Sequence, residues 1–455
     1  MKIVLPTLSL LFLSCFLFDD EKMDEQNTNL TLSLHSAGVT TVKLNVNPAD
    51  SLAEFTFELT RDDFTLQTLS LKSDTLIKDT GLNPNTSYTY NGYWLNGTER
   101  IGESDSLTVI TMDTTSQNFT WEIDTLGDVG SYLNDVWIVD ENDIWVVGYL
   151  SIPDSAGYMP TYANYNAARW DGEDWTYLKI GDTMPQGFFA MTTLYGIHYF
   201  NENDIWVMSG VPLHWNGEKW EHYLLHYMGV LPNSSLSNGA LWGTSTDNMY
   251  FVGRDGSIIH YDGNEFMKME SRTNILLTDI WGISDDSGEN VWVCGWDSST
   301  GQSIVLTLIE GQWQIVYERY SGGNGNSIDQ NIYAPRVNTI WTNNKFDYLL
   351  VGGGMGLFTM DKYIANDYEY IDLVEELGYF SFPEKIVGID INDIFIVGAY
   401  GTIFHFNGLH WDLNQTFFND GYEPKCVNAN SDNIVIVGEI SFDIFNKAFV
   451  IRGYR

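Results

Sequence analysis

The sequence predicts an all-β protein, and three observations lead to this fold class. One short phrase, two strands around an Asp- or Asn-rich turn with Val-Gly or a close variant at the end, occurs seven times after Leu133. β-Branched and aromatic residues dominate these segments, and aromatic residues make up 15% of the chain. Helical periodicity is almost absent. Repeats of this length predict an array of similar units, and four-stranded units in a radial array form a β-propeller.

Each repeat supplies the first two strands, A and B, of a predicted unit. The seven copies are LNDVWIVDENDIWVVG (133–148), LYGIHYFNENDIWVMSG (194–210), LWGTSTDNMYFVG (241–253), LTDIWGISDDSGENVWVCG (277–295), VNTIWTNNKFDYLLVGG (337–353), IVGIDINDIFIVG (386–398) and CVNANSDNIVIVG (426–438). A third strand, a Gly-centred turn such as HWNGEKW (214–220) and a fourth strand follow. Asn-Gly and Asp-Gly pairs supply the positive φ that tight hairpins need.

The last unit predicts how the array closes. Residues 426–455 provide strands A to C, and the chain then ends without a D strand. The segment FTWEIDTL (119–126) is similar to the D strands of other units, so we expect it to complete the last sheet. Such a strand removes two exposed sheet edges. The sequence therefore predicts one seven-bladed β-propeller over 117–455, with EYIDLVEEL (369–377) as a short helical insertion.

The first 26 residues predict an export leader and a tether. Met1 and Lys2 precede the apolar run 3–18, which is short for a membrane span and typical of a signal peptide. Leu13-Ser14-Cys15 resembles a bacterial lipobox, which implies lipidation of Cys15. An ordinary secretory signal and an uncleaved anchor are the alternatives. The acidic tether 19–26 resembles a Bacteroidetes surface-export signal, which implies the outer membrane or cell surface, with periplasmic or secreted locations as alternatives.

Between the tether and the repeats, residues 27–113 predict a smaller β domain. TVKLNVNP (41–48) and AEFTFELTR (53–61) alternate apolar and polar residues. The segment 79–97 contains Gly-Leu-x-Pro-x-Thr-x-Tyr-x-Tyr, formed by Gly81, Leu82, Pro84, Thr86, Tyr88 and Tyr90. This motif resembles the fibronectin type III signature. The resemblance implies a sandwich in which a tyrosine hydroxyl bonds back to the backbone, used as a spacer or adhesion module.

Charge and cysteine content exclude several classes of function. The formal net charge is −39, from 61 acidic and 22 basic residues. Nucleic-acid binding rests on Lys and Arg at phosphates, so we expect no nucleic-acid partner and membrane contact only through the lipid anchor. The acidic surface is either simply solvated or attracts a cationic partner. Cys294 and Cys426 replace apolar repeat residues, which predicts buried structural thiols.

The longer motif DIWVVG followed by GTIxHxxGxxW resembles the propellers of the photosystem II assembly factor family and Asp-box-like repeats. A true Asp box is absent, so sialidase chemistry is not implied. His214, His260 and His405 occupy one strand-C position in three units, so we expect them far apart and structural. Asp and Asn pairs in the A–B turns could suggest calcium, but they lack the ligand spacing of a calcium loop and are predicted turn formers. We expect no metal site and no cofactor.

Loop lengths predict where a ligand would bind. The B–C and D–A connections are long, open on one face and are rich in aromatic and amide residues, which suits stacking on a sugar ring or a peptide. The predicted ligand-binding residues are Tyr149, Tyr158, Tyr162, Tyr165, Phe188, Phe189, Tyr227, Trp296, Tyr320 and Tyr333.

Three functional hypotheses follow. The first is a monomeric, non-enzymatic cell-envelope protein that binds a glycan or an envelope protein. The second is a carbohydrate-active enzyme, a glycoside hydrolase or lyase, that uses strand-A carboxylates: Asp135 and Asp279 at the third repeat position and Asp390 at the fifth. Gly196, Gly243 and Gly388 hold the third position elsewhere, which suggests crowding near the axis. The third is a structural envelope or adhesion component.

Overall fold

The computed structural model describes most of the chain beyond residue 29. The described residues are 30–48, 55–154, 161–183, 187, 189–232, 236–285, 288–320, 336–343, 348–354, 356–362, 368–372, 382–442 and 445–455. The predicted leader and tether, with Cys15, lie outside them. Within this part of the chain no helix is both long enough and apolar enough to cross a membrane.

The chain divides into two compact units. The first comprises the described part of Met1–Ala37 together with Val42–Thr80 and Ser87–Ile110. The second comprises Gly38–Thr41, Gly81–Thr86 and Thr111–Arg455.

The first unit is built from two antiparallel sheets. Its strands are β1 (Leu30–Ala37), β2 (Thr41–Pro48), β3 (Phe55–Arg61), β4 (Phe64–Leu71), β5 (Thr75–Thr80), β6 (Ser87–Asn96), β7 (Glu99–Glu103) and β8 (Leu107–Ile110). One sheet has the order β1-β2-β5; the other has the order β4-β3-β6-β7, with β8 also paired to β6. Val42, Leu44 and Val46 are fully buried because alternate side chains of a strand point to one face.

A buried tyrosine anchors strand β6. The Tyr90 hydroxyl donates to Asp79 Oδ2 at 2.8 Å, and both oxygens of Asp79 accept from Arg61 Nη1 at 3.0 and 2.8 Å. The motif in 79–97 predicts a bond from a tyrosine hydroxyl to the backbone, whereas Tyr90 uses a carboxylate. Desolvation and this carboxylate raise the pKa of Tyr90, so the hydroxyl stays protonated and keeps donating.

The second unit contains seven four-stranded antiparallel sheets, numbered here in chain order. A single strand, β9 (Thr120–Leu126), precedes them. Sheet 1 contains β10 (Tyr132–Asp140), β11 (Asp143–Pro153), β12 (Tyr162–Trp170) and β13 (Trp175–Leu178). The short hairpin β14 (Asp182–Thr183) and β15 (Phe189–Ala190) follows. Sheet 2 contains β16 (Gly196–Asn201), β17 (Asp204–Met208), β18 (Pro212–Trp215) and β19 (Trp220–His222).

The middle sheets have the same arrangement. Sheet 3 contains β20 (Leu241–Ser245), β21 (Asn248–Val252), β22 (Ile258–Tyr261) and β23 (Phe266–Met269), with a 3-10 turn at Arg254–Gly256. Sheet 4 contains β24 (Leu276–Asp285), β25 (Gly288–Asp297), β26 (Gln302–Ile309) and β27 (Gln312–Tyr320). Sheet 5 contains β28 (Val337–Trp341), β29 (Tyr348–Gly353), β30 (Gly356–Asp361) and β31 (Tyr368–Asp372).

The last two sheets complete the series. Sheet 6 contains β32 (Pro383–Asp390), β33 (Asp393–Gly398), β34 (Thr402–Phe406) and β35 (Trp411–Leu413). Sheet 7 contains β36 (Tyr422–Ala429), β37 (Asn433–Phe442) and β38 (Phe445–Tyr454), with β9 as its fourth strand. Strand β9 pairs antiparallel with β38, from Thr120 opposite Tyr454 to Leu126 opposite Ala448. The segment that the sequence predicts as the missing fourth strand therefore occupies that place.

One sequence-based prediction is wrong. Residues 369–377 were expected to be helical, but Tyr368–Asp372 forms the outer strand of sheet 5. Pairing with β30 decides this local structure, because tertiary contacts override a weak helical pattern in a short segment. The remainder, 373–377, lies outside the described residues.

The core of the second unit lies between successive sheets. One apolar cluster joins Trp145 of sheet 1 to Ile205 of sheet 2, and equivalent clusters connect each later sheet to the next. A further cluster packs Leu133 of sheet 1 against Val437 of sheet 7. The contacts thus run through all seven sheets and return to the first. This all-β, propeller-like architecture places the first strand of every sheet around a shared centre.

Candidate functional site

A cavity of about 470 Å³ lies where the first strands of all seven sheets begin. We call it the central cavity. Its wall contains acidic, basic, amide and aromatic side chains. The lining residues are Asn134, Asp135, Tyr195, Gly196, Asn238, Gly239, Ala240, Leu241, Leu276, Thr278, Asp279, Trp296, Asn338, Glu384, Lys385, Lys425 and Cys426. A volume of this size is typical of pockets that bind small molecules or a few residues of a peptide.

A β-bulge near the start of the first strand recurs in several sheets. It lies between Leu133 and Asp135 in β10 and between Leu277 and Asp279 in β24. The same irregularity precedes Lys385 in β32 and Cys426 in β36. A bulge re-aims the side chain next to it. These four residues are therefore equivalent, and each lines the central cavity.

This register corrects the alignment expected from sequence. Glycines 243 and 388 were placed at the third repeat position, but Ala240 and Lys385 line the cavity there. Strand β20 pairs Gly243 with Met249 near its turn, and a side chain at Gly388 would clash with the Trp341 ring. Gly196, by contrast, lines the cavity.

The three candidate catalytic carboxylates do not assemble. Asp135 and Asp279 line the same cavity. Asp390 lies at the other end of strand β32, opposite Asp393 at the turn, where its Oδ1 accepts from the Ile391 N–H at 2.8 Å. The prediction failed for Asp390 because the strand begins three residues earlier than the repeat alignment assumed.

Asp279 accepts four hydrogen bonds. Oδ1 accepts from the Ile280 N–H at 2.9 Å and from Lys385 Nζ at 2.7 Å. Oδ2 accepts from the Thr339 hydroxyl at 2.9 Å and from the Ile340 N–H at 3.1 Å. Two oxygens with two lone pairs each are then fully used. The carboxylate joins sheets 4, 5 and 6, and it has no acceptor capacity left for a general acid–base role.

Lys385 is the charged partner of this carboxylate. Burial opposes its charge, but the neighbouring carboxylate of Asp279 outweighs burial, and the pKa of Lys385 is raised. The side chain is 24% accessible, and this residue lines the central cavity. The cavity therefore contains a permanent positive charge.

Asp135 links the sheets on the other side. Its Oδ1 accepts from the Val136 N–H at 2.9 Å and from the Cys426 thiol at 3.0 Å, and its Oδ2 accepts from the Ile197 N–H at 2.9 Å. Burial raises the pKa of Asp135, and burial with this nearby carboxyl raises the pKa of Cys426. Sheets 7, 1 and 2 are joined here. Both described cysteines, Cys294 and Cys426, are buried, with raised thiol pKa values, as expected of structural thiols.

Aromatic and charged groups form the rim of the cavity. The guanidinium of Arg336 lies 4.6 Å from the ring centre of Trp296 and 5.8 Å from that of Phe382. Glu384 accepts from Asn338 Nδ2 at 2.8 Å, and burial raises the pKa of this carboxyl. Lys425 Nζ approaches Glu439 only to 3.9 Å. Trp296 and Lys425 line the cavity, and Arg336 lies next to it through its contact with Trp296; we call these three residues the rim.

Of the six predicted aromatic residues whose side chains the structure describes, one lines the cavity. Trp296 lines the central cavity. Tyr149 contacts Tyr132 at 5.9 Å between ring centres, and Tyr165 contacts Tyr177 at 5.7 Å. Three others are exposed: Tyr162, Phe189 and Tyr227, the last at 84%. Tyr158, Phe188 and Tyr333 lie outside the described residues, as does the side chain of Tyr320.

The three strand-C histidines lie in three different sheets. His214 Nε2 bonds to Asp204 at 2.8 Å, His260 Nε2 to Asn248 at 2.7 Å, and His405 Nε2 to Asp393 at 2.8 Å. Each ring also stacks on an aromatic residue of its neighbouring strand: Trp206, Tyr250 and Phe395. These contacts fasten strand C to strand B within one sheet. In the described residues, no group of three or more His, Cys, Asp or Glu side chains could hold a metal ion.

Sequence reasoning missed Lys385, Lys425 and Tyr195. A signal for Lys385 was present in the repeat. Counting backwards from the Val-Gly end of strand B, which pairs with the bulge, places Lys385 and Cys426 in register with Asp279. A lysine at the repeat position that holds Asp135 and Asp279 in other sheets is then a candidate partner for those carboxylates.

No protein-family model matches the chain, and no curated protein matches it. Solved structures are similar in fold. YCF48 bound to D1 peptide has a TM-score of 0.50 at 14% identity, and covers 75% of this chain and 99% of its own. YCF48 from Cyanidioschyzon merolae has a TM-score of 0.47 at 13% identity, and the match covers 74% of this chain and 98% of that protein. The extracellular domain of BT4673 from B. thetaiotaomicron has a TM-score of 0.46 at 12% identity, and the match covers 72% of this chain and 39% of that one.

The similarity to YCF48 bound to D1 peptide, together with the sheets described above, places the chain in the class of all-β, propeller-like proteins. YCF48 is a photosystem II assembly factor, so the resemblance that the repeat motif predicts is supported at the level of fold. At 14% identity it extends to the fold alone.

Proposed function

We propose that this protein is a non-enzymatic binding protein in which a seven-bladed propeller, residues 117–455, holds a peptide segment of a partner protein at the central cavity. The observation that carries the proposal is the cavity itself: about 470 Å³, lined from all seven sheets, with a charged floor and an indole at its rim. The complex of YCF48 with a D1 peptide supports the choice of a peptide as ligand.

The wall chemistry favours binding over catalysis. The Asp279 carboxylate is saturated by four donors, and Asp135 accepts three, so both act as connections between sheets. An amide-rich wall with Asn134, Asn238 and Asn338 suits the alternating donors and acceptors of a peptide backbone. A glycan at the same aromatic rim is the other ligand that this chemistry accommodates.

A peptide array tests the proposal. The full-length protein is incubated with random heptapeptides and, in parallel, with an oligosaccharide array. We expect selected peptides, and we expect Trp296→Ala to weaken their binding about thirtyfold, because an aromatic anchor at an interface contributes about 2 kcal/mol. Tyr227→Ala is the matched control, since that ring is exposed and is not among the residues that line the cavity. Sugars bound without peptides would contradict the proposal and favour the glycan.

We also propose that the protein is exported and anchored through Cys15, with a fibronectin type III-like domain over 27–113 as a spacer. The apolar run 3–18, the Leu-Ser-Cys motif and the two-sheet arrangement of the first unit support this. Fractionation of cells that express the full chain tests it. We expect wild type in the membrane fraction and Cys15→Ser released from it; an unchanged distribution would contradict lipidation.

A further inference from the structure

The central cavity contains an ammonium group with unused donors. Lys385 Nζ has three N–H donors, and its one hydrogen bond in the described residues goes to Asp279 Oδ1 at 2.7 Å. The side chain is 24% accessible and lines the cavity, so the other two donors are directed towards space that a ligand can fill. With one donor bound to Asp279, the other two can bond to a ligand that brings acceptor oxygens.

Asp279 holds this ammonium in place without competing for the ligand. Its four acceptor sites are filled by Lys385, Thr339 and two main-chain N–H groups, of Ile280 and Ile340. The carboxylate therefore cannot turn towards an incoming donor. It fixes the position of the lysine and keeps it charged, which is the preorganisation that a binding group needs.

Two further cations stand at the rim. Arg336 stacks on the Trp296 ring at 4.6 Å, and Lys425 is 40% accessible with its nearest carboxylate, that of Glu439, at 3.9 Å. The chain as a whole carries 61 acidic and 22 basic residues. Three cations therefore face the three carboxyl groups of the cavity, those of Asp135, Asp279 and Glu384, so this part of a strongly acidic chain is close to neutral and repels an anionic group less than the rest of the surface does.

We propose that the central cavity recognises a carboxylate of the bound peptide, with Lys385 as the inner donor and Arg336 and Lys425 at the rim. This inference rests on the proposed function and names the chemical group that the site selects. A single negative charge fits better than a phosphate dianion, because the carboxyl groups of Asp135, Asp279 and Glu384 line the same cavity and oppose a second charge.

Peptides synthesised in matched forms test this inference. The array contains random heptapeptides with a free C-terminus and with an amide, and each Asp- or Glu-containing member has an Asn or Gln counterpart. We expect carboxylate members to be enriched and their amide counterparts to bind about tenfold more weakly, which corresponds to about 1.4 kcal/mol, because a charged acceptor strengthens the hydrogen bonds from the cations. The two kinds of pair distinguish a C-terminal carboxylate from a side-chain carboxylate.

Variants locate the carboxylate. Arg336→Gln combined with Lys425→Gln should weaken the selected acidic peptides about tenfold and leave their amide counterparts unchanged. Glu384→Gln should tighten the acidic peptides about threefold, because it removes an opposing charge and can keep the bond from Asn338. Lys385→Met should abolish the preference for carboxylates. Because this variant also removes the counter-charge of Asp279, its melting temperature is measured together with its peptide binding. Lys219→Gln, an exposed lysine in sheet 2, is the control.

The outcomes separate the two claims. Peptides that bind with no preference between carboxylate and amide overturn the carboxylate inference and leave the peptide-binding function standing. If the peptides prefer carboxylates but the rim variants and Glu384→Gln leave that preference unchanged, the carboxylate binds elsewhere. This result also overturns the carboxylate inference. Failure to bind any peptide overturns the proposed function, and the inference with it.

Discussion

At the scale of single residues, polar side chains near the cavity act as connections between sheets. Asp279 is 3% exposed, and Asp135 also lies in the cavity wall. Both carboxyl groups accept hydrogen bonds from donors in each of the sheets that they join. Buried polar groups persist when their hydrogen bonds are satisfied, and they become costly when one partner is removed.

Replacing Asp279 with Asn should therefore destabilise the protein. The amide cannot accept from four donors, and Lys385 loses its counter-charge. We expect the free energy of unfolding to fall by about 2–3 kcal/mol, below the value for a fully buried pair because the cavity lets water reach the lysine. Urea unfolding measures the change. Asp412→Asn, at an exposed position of strand β35, should stay within about 0.5 kcal/mol of wild type. Equal effects of the two variants would contradict this role.

A second residue-scale prediction concerns pH. His198 packs against Trp137 and Phe200, with ring centres 4.7 and 4.6 Å away, and burial lowers its pKa to about 4. The unfolded chain binds the proton near pH 6.5, so stability from neutral His198 is present above pH 6.5 and is lost as the pH falls towards 4. The loss amounts to roughly 3 kcal/mol.

The variant His198→Phe removes this titration. Wild type should lose stability relative to the variant between pH 6.5 and 4, and the two should run parallel above pH 7. Urea midpoints at several pH values measure the difference, in which the other titrating groups cancel. Parallel curves throughout would show that His198 keeps an ordinary pKa in the folded protein.

At the scale of elements, strand β9 is the most informative. It comes before sheet 1 in the chain but pairs with the last strand of sheet 7. Its Asp124 accepts from Trp175 Nε1 of sheet 1 at 3.0 Å and pairs with Arg452 of β38 at 3.0 Å. The guanidinium of Arg452 lies 4.0 Å from the Trp170 ring centre. One short strand thus connects the first and last sheets.

Two neighbouring carboxylates on β9 allow a matched test. Asp124 and Glu122 both pair with Arg452, but Asp124 also holds Trp175, and Glu122 is 55% exposed. Asp124→Asn should lower the free energy of unfolding by about 1–2 kcal/mol, and Glu122→Gln by less than about 0.5 kcal/mol, because an exposed ion pair contributes little. Thermal unfolding of both variants measures this. A larger effect for Glu122→Gln would contradict the role of Asp124 in joining sheets.

At the scale of the whole molecule, charge is the dominant property. The chain carries a net charge of −39, and folding brings these charges into a smaller volume than the unfolded chain occupies. The repulsion between them therefore destabilises the folded state. Exposed ion pairs such as that of Lys219 with Glu221 contribute little to stability. Screening should therefore help the folded state more than it weakens these pairs.

The melting temperature should rise when NaCl is increased from about 0.01 M to about 1 M, as the Debye length falls from about 30 Å to about 3 Å. Differential scanning calorimetry at constant pH measures it. Sucrose of equal osmolality controls for solute exclusion. A melting temperature that falls with salt would mean that attractive ion pairs outweigh the repulsion.

Much of the architecture could be read from the sequence. The Val-Gly repeats and their turns predicted seven four-stranded units, and the resemblance of 119–126 to the fourth strands predicted its pairing with β38. These features were predictable because turn chemistry and strand alternation act over a few residues and repeat seven times. The cavity was only partly predictable: Asp135, Asp279 and Trp296 line it, and Asp390 does not.

The sequence by itself determined which segments become strands and how many sheets they form, because local propensity and hydrophobic alternation are properties of neighbouring residues. Only the tertiary structure decided which side chains face the centre. A bulge of one residue near the start of strands β24, β32 and β36 brings Asp279, Lys385 and Cys426 to one cavity from positions far apart in the chain. That convergence depends on strand register, and register is fixed by pairing and packing.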